Sequence, residues 1–210
     1  MQQMNHEFTG KALQILQAAR HVFLTHGFAA ATTDMIQQEA GVSKSTMYAH
    51  FPNKEMLFTA VIEAECTTFT DTVRDIQFEN GKLRETLTLL AHAYLKIVLS
   101  PEGLAVFRVV IAEGIRFPNL ARVFYLAGPQ VMINMIAEQL THAAAAAGEI
   151  DLSELGCDNA ASLFINLVRS EPQLQCLTHP NAAPSDIQVD QWVNIAVTTF
   201  MRAYGCEQSK

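Results

Sequence analysis

Apolar side chains recur every three or four residues along almost all of the 210-residue chain, the spacing that lines one face of a helix. Over 11–27 the apolar positions Leu13, Ile15, Leu16, Ala19, Val22 and Phe23 predict a helix of about four turns, stopped at Gly27. Two short helices follow. Thr32 is the N-cap of the first, because its hydroxyl can accept an orphan backbone N–H, and Gly41 ends it by taking the left-handed conformation. Ser43 caps the second, and Pro52 stops it by lacking an N–H and restricting Phe51. Asn53 then opens a long helix over 53–76. Further helical patterns cover 83–100, 101–117, 118–128 and 129–148, the last three each opened by a proline. A pattern over 152–177 is expected to break near Pro172, 178–186 reads as a loop, and 187–205 as a closing helix. No run alternates as a strand would. The expected fold is all-α: an N-terminal three-helix unit over 1–52 and a larger helical body over 53–210.

Composition supports a packed body. Hydrophobic residues make up 50% and charged residues 17%, below the usual quarter, which excludes a disordered chain. The net charge of −7 is uneven. In 1–55, Lys11, Arg20, Lys44 and Lys54 balance Glu7, Asp34, Glu39 and Glu55, so the whole −7 falls on 56–210. Within 42–54 there are two lysines, one histidine and no acid. A locally basic patch on an acidic body suits oriented approach to a polyanion.

Several classes of function find no support. Cys66, Cys157, Cys176 and Cys206 have neither zinc-knuckle nor dithiol spacing and read as free thiols in a reducing compartment. His92, His142 and His179 are isolated, and His21 and His26 lie five apart rather than four, so no metal is expected. There is no glycine-rich phosphate loop, nucleophile elbow or paired acid and base, hence no catalytic residue, no cofactor and no enzyme. With no apolar h-region near the polar start and no uninterrupted apolar run of spanning length, a cytoplasmic protein with no membrane segment is expected.

The two short helices joined by Ala40-Gly41-Val42-Ser43 form a helix-turn-helix pattern. In that geometry the second helix enters the major groove by its N-terminal end. Ser43, Lys44, Ser45, Thr46, Tyr48 and Ala49 should face outward, and Val42, Met47 and Phe51 inward. Gly27, Phe28, Thr32 and Ile36, the run Ala40 to Tyr48, then His50-Phe51, Asn53-Lys54-Glu55 and Leu57 occur in order. This stretch resembles the N-terminal domain of the TetR/AcrR family of bacterial transcriptional regulators. Phe107 to Pro129 resembles the ligand domain of its AefR-like branch. The resemblance implies that Lys44, Ser45 and Thr46, with the cap Ser43, meet bases or phosphates. It implies phosphate contacts for Tyr48, His50, Thr32 and Lys54. Hydroxyls and helix N-termini hold phosphate without a full charge. Two residues depart from the family pattern. Asp34 should repel phosphate, and Gln37 replaces a small residue.

The body should then hold a small apolar or amphipathic inducer. Candidate pocket residues are Phe69, Tyr94, Phe107, Arg108, Phe117, Phe124, Tyr125, Phe164 and Trp192, each of which is equally an ordinary core residue by type. Glu113 and Arg116, three apart, are placed to pair. Apolar stripes on the last two long helical stretches suit the four-helix homodimer interface that the family implies. The expected function is a ligand-responsive repressor of efflux or stress-type genes, bound as a homodimer to palindromic double-stranded operator DNA and released by the inducer. The alternative is a helical small-molecule-binding or scaffolding protein whose DNA unit has degenerated, for which Asp34 and Gln37 are the warning.

Overall fold

Glycine and hydroxyl residues punctuate the N-terminal third as their chemistry dictates. In the computed structural model, which describes residues 8, 10–74, 81–146, 148–179 and 183–206 (backbone only for 69, 70, 72 and 146), α1 runs Gly10–Ala30 and kinks at Gly27, whose φ of 75° no helix accommodates. Then come α2 (Thr33–Ala40), α3 (Lys44–His50) and α4 (Lys54–Arg74). The later helices are α5 (Leu83–Val98), α6 (Pro101–Glu113), α7 (Pro118–Ala127), α8 (Pro129–Ala146), α9 (Cys157–Thr178) and α10 (Asp186–Tyr204). Among the described residues there is no strand, only an isolated antiparallel bridge between Ile150 and Gly205. The all-α expectation holds.

Three boundaries differ from the sequence reading. α6 stops at Glu113, before the turn that leads to Pro118. α9 begins at Cys157, because the residues before it form turns that bury Leu152. It also continues through Pro172 instead of breaking there. Pro172 is buried, so packing outweighs the lost backbone hydrogen bond.

The chain forms two compact units. The first comprises Met1–Thr70 and Ala105–Pro129. In it α1 packs on α2 and α3, and α2 on α3. Ile15, Leu16, Phe23, Ile36, Met47, Leu57, Phe58 and Ile62 are buried together with Val106, Val110 and Leu120. Phe28 stacks on Phe58 at 4.8 Å between ring centres and meets Phe117 edge-on at 4.7 Å. A bidentate ion pair joins Arg20 of α1 to the buried Glu65 of α4, the geometry that best offsets desolvation of a buried charge. Glu113 does not pair with Arg116. Its Oε1 accepts the Ala29 N–H at 3.1 Å, so the end of α6 supports the turn between α1 and α2.

The second unit comprises Asp71–Leu104 and Gln130–Lys210. There α5, α9 and α10 pack against one another around Leu87, Leu90, Leu95, Ile136, Leu140, Phe164 and Phe200. Lys82, before α5, offers no capping side chain. The buried Glu149 supplies the acceptor instead, its Oε2 taking the Leu83 N–H at 3.0 Å. Ser185 and Gln188 open α10 with a reciprocal capping box. The apolar stretch Pro118–Ala145 is long and apolar enough to cross a membrane by length and composition. It is divided at Gly128 into two helices. Leu120, Met132, Ile136 and Leu140 on it are buried in the two cores.

Candidate nucleic-acid interface

The exposed surface of α2 and α3 is built from their caps. Thr32 Oγ1 accepts the Met35 N–H at 3.1 Å, and Ser43 Oγ accepts the Thr46 N–H at 3.1 Å. Ser43 Oγ also lies 2.9 Å from Ser45 Oγ and 2.8 Å from Thr46 Oγ1, so three hydroxyls cluster over the first turn of α3. Between the helices Gly41 takes φ 59°, a left-handed conformation that costs L-residues with a Cβ roughly 1–2 kcal/mol. Gln14 of α1 donates to the Ala40 carbonyl at 2.7 Å and so fixes the end of α2.

Burial sorts α3 as its pattern predicts. Met47 and Phe51 are buried, and Val42 is half-buried. Ser43, Lys44, Ser45, Tyr48, Ala49 and His50 are exposed, and Thr46 is half-buried. The Tyr48 hydroxyl reaches Thr33 Oγ1 at 3.5 Å, so the phenol stands beside the first turn of α2. Hydroxyls and free backbone N–H groups of two helix starts thus share one surface, an arrangement that binds phosphate oxygens.

The charges on this surface are tied down. Lys44 Nζ bonds Asp34 Oδ1 at 3.0 Å, with both side chains exposed. That hydrogen bond, helped by the carboxylate charge, holds the Lys44 ammonium above its ordinary pKa. Gln37 Nε2 donates to the same Asp34 oxygen at 3.3 Å, while Gln37 Oε1 is buried without a hydrogen-bond partner. Lys54 is half-buried. Its ammonium donates to the carbonyls of Phe28 at 2.7 Å and Ala31 at 2.9 Å, and sits 4.3 Å from the centre of the Phe28 ring. Two of its three donors therefore hold the α1–α2 turn. Thr33 is not among the residues singled out from the sequence, although the doubled threonine signals it. Glu113 is singled out there for Arg116, whereas its partner is the Ala29 N–H 84 residues away, which no local spacing signals.

The predicted pocket residues are dispersed. In the first unit, Phe107 meets Phe124 edge-on at 6.3 Å, Phe117 belongs to the Phe28 cluster, and Arg108 and Tyr125 are exposed. In the second, Phe164 is fully buried against Phe200 at 5.2 Å. Burial pushes the Tyr94 phenol up, partly offset by the Arg169 guanidinium. Trp192 lines a cavity of about 410 Å³ with Glu171, Cys176, His179 and Gln188. The Phe69 side chain lies outside the described residues. The described residues hold no cluster of metal-ligating side chains.

The fold and the surface define a helix-turn-helix protein with an all-α body. The model of bacterial regulatory proteins of the tetR family matches residues 15–61, and that of the AefR-like transcriptional repressor C-terminal domain matches 85–206. The chain belongs to the TetR family of transcriptional regulators, whose members are regulators and not enzymes. It is 30% identical over 125 residues to the HTH-type transcriptional regulator UidR of Escherichia coli, a match covering 58% of this chain and 60% of that one. The chain thus spans 60% of the length of these curated relatives. Among solved structures, the flavonoid-responsive regulator FrrA is 33% identical, with a TM-score of 0.78 and coverage of 94% of this chain and 98% of that one. A TetR-family regulator from Mesorhizobium loti is 25% identical, with a TM-score of 0.82 and coverage of 93% and 97%.

Proposed function

We propose that this chain is a ligand-responsive repressor that binds palindromic double-stranded operator DNA as a homodimer. The observation that carries the reading is the exposed surface of the α2 and α3 starts, joined where Tyr48 reaches Thr33 and Lys44 reaches Asp34. Ser43, Lys44, Ser45 and Thr46 meet base edges and nearby phosphates. Thr32, Tyr48 and His50 position the protein on the backbone. The third donor of Lys54 is available to a flanking phosphate. The description of the C-terminal family as a repressor domain supports repression.

The inducer is a small apolar or amphipathic molecule held among the aromatic residues of the body. The name of FrrA, a flavonoid-responsive regulator, supports a planar aromatic one. Release needs only a modest coupling, about 1.4 kcal/mol for tenfold weaker DNA binding. Efflux or stress-type genes are the targets that such a ligand suits, and a cytoplasmic location follows from the DNA. Exposed Leu163, Leu167 and Leu174 on α9 and Ile187 and Ile195 on α10 support a homodimer through these helices. The experiment is retardation of the DNA upstream of its own gene by purified protein, repeated with candidate planar aromatics. Folded dimer that retards no DNA at low salt would sink the reading.

A further inference from the structure

Asp34 is a carboxylate on the surface that would face a polyanion. It stands in the first turn of α2, where a negative charge favours the helix start. That alone would account for an acid here, but not for its second partner. Asp34 Oδ1 is held from one side by Gln37 Nε2 at 3.3 Å and holds Lys44 Nζ from the other at 3.0 Å. Lys44 is the first residue of α3, the position from which a helix reads base edges. One ammonium hydrogen is thus committed to Asp34. The remaining two can reach acceptors in the groove, such as guanine O6 and N7, with the pair intact. A phosphate makes a different demand. To neutralise it, Lys44 must leave Asp34 or carry a like charge towards it.

Resting on the DNA-binding reading, we propose that Asp34 is a specificity-determining residue: by holding Lys44 it penalises phosphate-only contact and reserves the ammonium for base edges. It is a repulsive element acting against wrong sites. Sequence-independent affinity comes from phosphate neutralisation, so the effect of Asp34 falls chiefly on unrelated DNA.

The test compares wild type with Asp34→Asn, which keeps an acceptor for Gln37 and removes the charge. Two duplexes are used: one selected by the wild-type protein from a random library, and a shuffled duplex of the same composition. Asp34→Asn should bind the shuffled duplex about fivefold more tightly, with a salt slope steeper by about one. It should bind the selected duplex with less than about twofold change. In a Lys44→Ala background the gain on the shuffled duplex should vanish. Equal changes on both duplexes, or weaker binding to the shuffled one, overturn the inference and leave Asp34 as a helix-start residue. A gain of the same size without Lys44 also overturns it. Wild-type protein that holds neither duplex at low salt would instead fail the DNA-binding reading itself.

Discussion

The thiol of Cys66 is buried on α4, close enough to Gly128 that a Cβ there would meet its sulfur at 3.2 Å. Burial, with the nearby Glu65 and Glu63 carboxylates, pushes it up from 9.0 to about 12. The unfolded chain loses this proton near the ordinary thiol value, whereas the folded chain keeps it. Its stability is therefore fully present below pH 9 and falls as pH rises towards 12. Urea unfolding at about pH 8 and about pH 10.5 should show that decline, and Cys66→Ala should reduce it, leaving the part that the buried Tyr94 phenol contributes with the same sign. Lys54 allows a second prediction at this scale. Lys54→Met keeps the stem but leaves the Phe28 and Ala31 carbonyls without their donor. It should cost about 1–3 kcal/mol, read as a lowered melting temperature. A lysine confined to phosphate binding would leave stability unchanged. Tyr48→Phe should leave folding intact and weaken DNA binding by about 1 kcal/mol, measured by titration against the selected duplex.

At the scale of elements, what was legible in the sequence was local. Thr32, Gly41, Ser43 and Asn53 act within four residues of themselves, and each does in the structure what its chemistry predicts. The orientation of α3 was legible too, because burial of Met47 and Phe51 leaves Ser43, Lys44 and Tyr48 outside. What escaped were bonds between distant residues. Glu113 reaches Ala29, and Glu149 reaches Leu83 across 66 residues; neither spacing leaves a trace in periodicity. Pro172 escaped for a related reason, since its buried setting within α9 depends on tertiary packing. Glu149→Ala strips α5 of its acceptor and should destabilise the protein by about 1–3 kcal/mol. Thermal unfolding measures this, with loss of α5 protection in hydrogen exchange.

At the scale of the whole molecule, a chain of net charge −7 that binds DNA as proposed would approach it with few cations, and Lys44 and Lys54 are both partly engaged. Two copies of the reading surface would offset that weakness. Replacing Leu167 and Ile195, both exposed, by glutamate should yield folded monomer by light scattering, with operator affinity lost. Retained dimer with unchanged affinity would place the association elsewhere.

The first unit draws on two separated stretches of chain, and this bears on exchange between relatives. Val106, Val109, Val110 and Leu120 complete the core beneath the helix-turn-helix, and Glu113 buttresses the turn between α1 and α2 that leads into it. The headpiece is therefore not a portable cassette. A chimera joined near residue 52 would seat a foreign reading head on a socket shaped for another. Swapping operator preference between relatives should succeed only when the matching residues of 105–129 travel with it, or when the few outward side chains of α3 are changed alone.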